Sequence, residues 1–334
     1  MKIALVTTTI NVPHVLASYR AAFSDSDIIV IGDRKTPDAE VQSFMADMPF
    51  ATYLSYDEQE GRGFSCHELI GSNSIQRRNI GFLEALATGA EVIFSFDDDN
   101  LLTNVFAEAH LLQAFDKEVC LAVDSKSGWF DPGSYLVPPA PHRGFPYDVP
   151  SQPVFRNVVS PKVGVVAGLC LGDPDVSSVT RMALSPDVRA ASEILHSGIC
   201  CYAHTVWNSQ FTAVRREFIP AWGMIPFVGR MDDIYAACVA QRVMREYGYC
   251  VHFGQPFALQ QRNQHDLVVD MRAEIDGFNG VKRLAHVLDN IVLAGKNVIE
   301  DCRRIWDTLD HVDFIPAKAV AAMQAYINDC EKVK

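Results

Sequence analysis

The sequence has little of what a nucleic-acid-binding, secreted or membrane-spanning protein needs. Lysine and arginine total 29 against 41 aspartates and glutamates, so the formal net charge is −12. This acidity argues against a general nucleic-acid binder, which needs a basic stripe, and against docking on an anionic membrane. No stretch approaches the ~18 consecutive apolar residues of a transmembrane helix. The apolar run at residues 3–6 is far shorter than the core of a signal peptide.

Motifs built on closely spaced cysteines or glycines are also missing. The 9 cysteines are scattered over 334 residues, their number is odd, and no CxxC pair occurs. A chain of this length folds without disulfides, so we expect reduced, mostly buried thiols and a cytoplasmic location. There is no GxGxxG after a strand and no GxxxxGK[ST]. These absences exclude dinucleotide-dependent oxidoreductases and P-loop NTPases.

The sequence does contain an α/β pattern. Its first third predicts strands at 2–8, 28–31, 91–96 and 119–123, with helices at 74–88 and 104–115. This alternation is typical of a parallel sheet with right-handed crossovers. Residues 127–161 are rich in proline, glycine and aromatic residues, which is typical of binding loops or lids. Further helices are predicted at 232–247, 279–297 and 317–330, and His252 is expected to be a core histidine in a strand.

Three consecutive aspartates, Asp97, Asp98 and Asp99, directly follow the apolar run 91–96. Ligands of open parallel sheets bind beyond the carboxyl ends of the strands. In extended chain, Asp97 and Asp99 point to one side, where two carboxylates repel each other unless a cation lies between them. The pattern therefore predicts a Mg²⁺ or Mn²⁺ site that bridges to substrate phosphates.

Two other interpretations of the aspartates are weaker. An EF-hand loop beginning at Asp97 would have Leu102 instead of glycine at its sixth position, so we reject it. Capping of the next helix would need only one acid.

Several sequence blocks resemble a known family. Asp97–Asp99 resembles the DxD motif of metal-dependent GT-A glycosyltransferases. Six further blocks resemble, in order, those of the reversibly glycosylated polypeptides (UDP-arabinopyranose mutases of plants) and of STELLO-type glycosyltransferases. They are Gly32-Asp-Arg-Lys-Thr-Pro, Arg78-Asn-Ile-Gly, Gly172-Asp-Pro-Asp-Val, Asn208-Ser-Gln, Phe227-Val-Gly-Arg-Met-Asp-Asp-Ile and Arg262-Asn-Gln-His-Asp. One departure is that Val-Ser-Ser follows Asp175, where the family often has a second aspartate.

The resemblance implies a GT-A fold, which is a Rossmann-like, mainly parallel sheet flanked by helices, here with a helical C-terminal tail. Residues 1–125 would form the nucleotide-sugar half, 126–278 the acceptor half and 279–334 the tail. The implied activity is inverting transfer of a sugar from an NDP-sugar, most simply a UDP-sugar, to a hydroxyl acceptor, with Mn²⁺ or Mg²⁺ as cofactor. Two alternatives stay open: an NDP-sugar mutase that interconverts pyranose and furanose rings, and a non-catalytic partner subunit. The sequence leaves the oligomeric state undetermined.

The resemblance also implies roles for individual residues. Asp97, Asp99 and His265 would hold the metal. Asp233 would be the general base that deprotonates the acceptor, with Asp232 as its partner, although either aspartate could simply cap the following helix. The residues expected to bind the donor are Thr7, Thr8, Thr9, Asp33, Arg78 and Asp98. Those expected to contact sugar or acceptor are Asp173, Asn208 and Gln210.

Two further expectations concern neighbouring arginines and a cluster of histidines and cysteines. A guanidinium at Arg78 would form paired hydrogen bonds to the diphosphate, whereas Arg77 beside it is expected on a solvated helix face. The spacing of four further residues would let several of them share one helix face, but the CxxC knuckles usual in structural zinc sites are missing, so the sequence leaves zinc binding open. The four residues are His196, Cys200, Cys201 and His204.

Overall fold

The computed structural model describes residues 1–262 and 265–333. The strands are β1 Ile3–Thr8, β2 Asp27–Ile31, β3 Ala51–Leu54, β4 Val92–Phe96, β5 Asn100–Leu102, β6 Val119–Ser125, β7 Leu136–Val137, β8 Pro153–Val159, β9 Val163–Ala167, β10 Cys170–Gly172, β11 Ala190–Ala191, β12 Ile199–Cys201, β13 Phe211–Arg215, β14 Cys250–Phe253 and β15 Ala258–Gln260. The helices are α1 Leu16–Ala22, α2 Asp38–Met45, α3 Tyr56–Glu60, α4 Cys66–Ile70, α5 Arg78–Ala87, α6 Ala107–Phe115, α7 Ser178–Leu184, α8 Glu193–Ser197, α9 Asp232–Glu246, α10 Leu267–Glu274, α11 Gly277–Asp289, α12 Val298–Leu309 and α13 Ala317–Lys332.

The central sheet is mixed, with the strand order β3-β2-β1-β4-β13-β9-β14-β12-β6-β8. Strands β3, β2, β1 and β4 are parallel to one another, as the strand–helix alternation predicts. β13 then runs antiparallel to β4, so that Phe211 at its start pairs with Phe96. The carboxyl ends of β1, β2 and β4 and the amino end of β13 therefore lie at one edge of the sheet.

A second, three-stranded sheet has the order β10-β15-β5 and extends this edge. Its register pairs Gln260 with Asn100 on one side and with Gly172 on the other. The segments that follow β4, β10 and β15 are thereby brought together, although about 160 residues separate the first from the last in sequence.

Helices cover both faces of the central sheet. Because side chains alternate along a strand, Leu5 contributes to one apolar core while Ala4 and Val6 contribute to the other. Residues of α1, α2 and α6 belong to the first core, and residues of α5, α9, α11, α12 and α13 belong to the second. The fold class is thus α/β with a C-terminal helical region, as predicted.

Three segments differ from their prediction. The helix expected at 279–297 ends at Asp289, because the N–H groups of Ala294 and Gly295 donate to the Asp301 carboxylate at 2.8 and 3.1 Å and hold a loop there. The helix expected at 104–115 begins at Ala107. Residues 127–161, expected to be irregular, include β8, an edge strand antiparallel to β6.

A buried carboxylate attaches the last helix to the main body of the fold. Asp329 on α13 accepts hydrogen bonds from Ser65 Oγ at 2.7 Å and from the Cys66 N–H at 2.9 Å, at the start of α4. Tyr326, one turn earlier, donates its hydroxyl to the Ile219 carbonyl at 3.2 Å. The C-terminal helices are therefore part of the same packed structure as the sheet.

The structure also bears on two exclusions drawn from composition. All nine cysteine side chains are buried, as expected for thiols that act as small apolar residues. Within the part of the chain that the structure describes, no helix combines the length and the apolar character needed to cross a membrane.

The close packing of α5 on the sheet depends on Gly81. A Cβ at this position would lie 2.4 Å from Val6 Cγ1 on β1 and 3.0 Å from Ile31 Cγ1 on β2. We predict that Gly81→Ala lowers the free energy of unfolding by about 1–3 kcal/mol, because overpacking moves the helix off the sheet. Denaturant titration with an unchanged m-value measures this loss.

Gly61→Ala is the matched control. Its Cβ would meet only the Glu58 carbonyl oxygen, at 3.5 Å, and its φ of −64° suits alanine. This variant should stay within about 0.5 kcal/mol of the wild type. Equal losses for both glycines would contradict the packing argument.

Candidate active site

A cavity of about 640 Å³ lies at the sheet edge where β1, β2 and β4 end. This is where ligands bind in open α/β sheets. Its polar lining includes Thr8, Thr9, Asp33, Lys35, Gln76, Arg78, Asp97, Asp98, Asp99, Arg143, Asp175, Asn208, Ser209, Gln210, Arg230, Asp232, Asp233, Gln260, Arg262 and His265. Acids and guanidiniums are therefore interleaved around one space.

The three consecutive aspartates form a turn. The Asn100 N–H donates to the Asp97 carbonyl at 3.2 Å, so the alternation expected of extended chain does not apply. Asp97 Oδ1 accepts from Arg78 Nη2 at 2.8 Å, and Asp98 Oδ2 accepts from Thr9 Oγ1 at 2.5 Å. The turn thus gives the carboxylates different partners while keeping all three at the cavity.

Negative charge accumulates in this turn. Burial, together with the charges of Asp97 and Asp98, raises the pKa of Asp99 to about 7. Burial also raises the pKa of Asp98, against the opposing effect of the hydrogen bond from Thr9. Ionising the whole group is costly, and a nearby cation would lower these pKa values.

Arg78 is held within the protein and is only 1% exposed. Nη1 donates to Ser95 Oγ at 3.2 Å and to the Ser209 carbonyl at 3.1 Å, while Nη2 donates to Thr8 Oγ1 at 3.0 Å as well as to Asp97. Protein acceptors occupy both terminal nitrogens. In this structure Arg78 therefore positions Asp97, instead of offering a free pair of donors to a diphosphate.

The two acids at the start of α9 differ in their surroundings. Asp233 Oδ1 accepts from Arg143 Nη2 at 3.0 Å, and its Oδ2 accepts from the N–H and Oγ of Ser209 at 3.0 and 3.2 Å. Asp232 Oδ2 accepts from Gln76 Nε2 at 2.7 Å. Burial and the neighbouring charge of Asp233 raise the pKa of Asp232 to about 7. The pKa of Asp232 thus lies where this carboxyl can exchange a proton near neutral pH.

Arg143 connects Asp233 of this acid pair to a third acid, Asp175. Its Nε lies 3.0 Å from Asp175 Oδ1, and its Nη2 lies 2.8 Å from Asp175 Oδ2. Burial alone would raise the pKa of Asp175, but Arg143 holds it well below its ordinary value. Asn208 Nδ2 also donates to Asp175, at 3.1 Å. One buried guanidinium thus compensates Asp175 and Asp233 together.

Two of the predicted site residues lie away from the cavity lining. Thr7 is fully buried in β1, and Asp173 forms an ion pair with Arg181. The structure places the other predicted residues together around the cavity. They are Thr8, Thr9, Asp33, Arg78, Asp97, Asp98, Asp99, Asn208, Gln210, Asp232, Asp233 and His265.

The predicted three-residue metal site does not form as a cluster. His265 Nδ1 lies 3.1 Å from Asp270 Oδ2, which draws its ring towards α10. Among the side chains of residues 1–262 and 265–333, no group of three or more His, Cys, Asp or Glu residues could hold a metal ion. Asn263 and Gln264 of the same motif block lie outside the described residues.

The structure does not bring the histidine–cysteine cluster together, and the expectation of a solvated Arg77 is wrong. Cys200 and Cys201 are consecutive residues of β12 and face opposite cores, so they cannot share a helix face with His196 on α8. His204 instead contacts Asp289 at 2.9 Å. Arg77 is fully buried, and it donates to Gln59 Oε1 at 3.0 Å and to the His67 carbonyl at 2.8 Å.

Sequence reasoning missed several lining residues, of which Arg143, Gln76 and Gln260 have the clearest environments. Arg143 belongs to the proline- and glycine-rich stretch that was predicted to be a binding loop, so composition indicated the segment but not the residue. Gln76 precedes the α5 block, and Gln260 ends β15. No local pattern marks either glutamine, because pairing between distant segments creates its position.

The cavity's donor set fits a hard divalent cation. Asp97 and Asp99 offer carboxylate oxygens beside a charge excess that a cation would relieve. Gln260 Oε1 is buried and has no hydrogen-bond partner in the described portion of the chain. Mg²⁺ is commonly held by one or two carboxylates plus substrate phosphates, so a full protein cage is unnecessary.

Comparisons with known proteins do not extend this picture. No protein-family model and no curated protein matches the sequence. A solved structure of mouse xyloside xylosyltransferase 1, in its apo form, is 10% identical over 76% of this chain and 78% of that chain, with a TM-score of 0.26. Similarity at this level carries no argument about fold or function. The resemblance to reversibly glycosylated polypeptides and STELLO-type enzymes therefore stays a prediction from the motifs.

The ion network around Arg143 generates a stability prediction. Arg143→Met would leave Asp175 and Asp233 buried without compensation, so we expect the free energy of unfolding to fall by about 3–5 kcal/mol. Arg189→Met is the matched control, because Arg189 forms an exposed pair with Asp187 and should change stability by less than about 1 kcal/mol. Denaturant titration of both variants measures the difference. A loss of less than about 1 kcal/mol in Arg143→Met would show that the ion network does not stabilise the fold.

Proposed function

We propose that the protein is a metal-dependent glycosyltransferase that moves a sugar from an NDP-sugar, most simply a UDP-sugar, to a hydroxyl acceptor. The observation that supports it most is the convergence, in one cavity at the carboxyl ends of parallel strands, of the Asp97–Asp99 turn, cationic side chains and an acid with a pKa near 7. The family resemblance agrees with this activity.

Asp97 and Asp99 would hold a Mn²⁺ or Mg²⁺ ion, with Gln260 Oε1 as a further oxygen donor. When bound, such an ion stabilises the negative charge that develops on a leaving diphosphate. Arg78 fixes Asp97 in place through its 2.8 Å hydrogen bond. Asp33, whose carboxylate accepts the N–H groups of Arg34 and Ser74, lies at the end of β2 on the side expected for the nucleoside.

Arg262 is a better candidate than Arg78 for direct contact with the diphosphate. It follows Gln261, whose N–H donates to the Asp99 carbonyl at 3.3 Å, so it enters the cavity beside the aspartate turn. Its Nε is buried and has no hydrogen-bond partner among residues 1–262 and 265–333. A guanidinium there supplies charge-assisted donors to phosphate oxygens.

Asp232 would act as the general base. Inverting transfer needs a carboxylate that accepts the proton of the acceptor hydroxyl as it attacks the anomeric carbon. Asp233, expected to do this from its motif, already has both oxygens engaged by Arg143 and Ser209. Asp232 lines the same cavity, and Gln76 orients it. The two acids thus exchange the roles that the resemblance implied.

The first functional prediction concerns the metal. With a UDP-sugar panel and Mn²⁺, donor hydrolysis or transfer should be abolished by EDTA and restored by excess Mn²⁺. Asp97→Asn combined with Asp99→Asn should abolish it too, whereas Asp187→Asn at an exposed site should not. Undiminished turnover in chelator would contradict the proposal. NMR of the same panel without acceptor would detect ring interconversion, which only a mutase carries out.

The second prediction separates Asp232 from Asp233. Since the base must be ionised, kcat/KM should rise with pH and level off above about 7. Asp232→Asn should lower kcat by about a hundredfold or more, the usual contribution of a general base. Asp233→Asn should chiefly lower stability, because it disturbs the contacts with Arg143 and Ser209.

Stability measured against pH gives an independent check on Asp232. Its raised pKa means that the folded state binds the proton more tightly than the unfolded state, so this stabilisation is lost as pH rises through about 7. Asparagine stays neutral, so Asp232→Asn should be at least as stable as the wild type at pH 8. A large loss of Tm at pH 8 would assign Asp232 a structural role instead.

A further inference from the structure

A second cavity, of about 250 Å³, lies on the sheet face that α6 covers and shares no lining residue with the first. Its walls combine apolar residues, among them Phe23, Leu111, Phe211 and Phe257, with polar side chains. An apolar cavity of ~150 Å³ suffices to hold benzene. The space therefore suits a single ring with one substituent.

His252 provides a polar group inside this cavity. It lies on β14 between Val251 and Phe253, and its side chain is on the face opposite to theirs. The residue is 4% exposed, and in the part of the chain that the structure describes neither ring nitrogen has a hydrogen-bond partner. Buried polar groups are nearly always paired, since leaving one unpaired costs its desolvation. The imidazole therefore has hydrogen-bonding capacity that the described residues do not satisfy.

Two glycines lie directly against the edge of this imidazole. A Cβ on Gly198 would lie 2.3 Å from His252 Nε2, and a Cβ on Gly254 would lie 3.2 Å from Cε1. Any side chain at Gly198 would therefore block Nε2. Both glycines line the cavity together with His252, so no side chain of theirs fills the space beside the ring.

The charges around this cavity differ from those of the protein as a whole. The net charge is −12, yet no aspartate or glutamate is among the described residues that line the cavity. Lys117 and the imidazoles of His110, His196 and His252 line it instead. Burial, and then the charge of Lys117, lower the pKa of His252 to about 3, so its ring is neutral and donates one N–H. The cavity thus offers a cation and a neutral donor.

We propose that this second cavity is a binding site for a small carboxylate with one apolar ring, whose carboxylate accepts from Lys117 and from the His252 N–H while the ring lies among the phenylalanines. Lys117 Nζ already donates to the Ser197 carbonyl at 3.1 Å, which places it at the wall beside Gly198. The site is separate from the proposed donor site and does not depend on the glycosyltransferase assignment.

The test uses benzoate and the full-length protein labelled with ¹⁵N-histidine. At constant ionic strength, we expect benzoate to produce saturable shifts of the His252 ring resonances and a rise in Tm, because a ligand that binds only the folded state stabilises it. The resonances are assigned by their loss in His252→Phe. Observing His252 directly distinguishes this site from the arginines of the larger cavity.

Matched ligands and variants test the role of charge. Lys117→Gln should weaken benzoate binding by about tenfold, the effect of losing one charge-assisted hydrogen bond. Lys126→Gln removes the same charge at an exposed position outside the cavity lining and should leave the affinity unchanged. Benzyl alcohol should bind at least about tenfold more weakly than benzoate, and benzylamine should not bind.

Several outcomes would overturn the proposal. The first such outcome is that the His252 ring resonances do not shift when benzoate is added. Ring contacts to water alone would have the same meaning. Equal binding of benzyl alcohol and benzoate would be another, since it would show an apolar cavity without anion preference. The third is an affinity that Lys117→Gln leaves unchanged. Lys117 lies at the wall of the cavity and not in the core, so Lys117→Gln is expected to fold. The affinity measurement on this variant is therefore informative even if His252→Phe does not fold.

Discussion

The buried guanidinium of Arg143 is the interaction on which the proposed active site depends most. It pairs with Asp175 and Asp233, which lie on separate segments, and burial would otherwise make both acids costly. Asp233 in turn holds the backbone and hydroxyl of Ser209, and Ser209 accepts from Arg78. A chain of charge-assisted hydrogen bonds therefore connects a surface loop, the start of α9, the segment before β13 and the aspartate turn.

This chain of hydrogen bonds shows how a strongly acidic protein could accommodate the anionic ligand proposed for this cavity. Some of the acids are compensated by buried arginines whose donors already bind protein acceptors, as those of Arg143 and Arg78 do. Burial and the charges of neighbouring carboxylates instead raise the pKa values of Asp99 and Asp232. In the proposed function, the arginine pairs fix the geometry of the site, Asp97 and Asp99 hold a cation, and Asp232 exchanges a proton.

The two cavities illustrate opposite electrostatic solutions in one fold. The larger one interleaves carboxylates and guanidiniums at the edge of the sheet, whereas the smaller one lies on a sheet face with a lysine and three imidazoles. The larger cavity lies where strands end, and the smaller one is lined in part by glycines that have no side chain to fill it. In each case the polar groups are held by regular secondary structure or by buried pairs, so their positions are set before any ligand arrives.

Local pattern in the sequence predicted β1, β2, β4 and β6, the helices α5, α6, α9, α11 and α13, and the position of the aspartates at a strand end, because apolar periodicity and burial act over a few residues. It did not predict β8 within residues 127–161, nor the short strands and helices of the middle of the chain. The helix prediction was wrong at 290–297, where the carboxylate of Asp301 on the following helix accepts the N–H groups of Ala294 and Gly295 and holds a loop. The partners of Arg78, the different surroundings of Asp232 and Asp233, the turning of His265 towards Asp270 and the cavity around His252 were decided only by the tertiary structure. Each of these depends on which distant group lies within hydrogen-bond reach, and the sheet order sets that proximity.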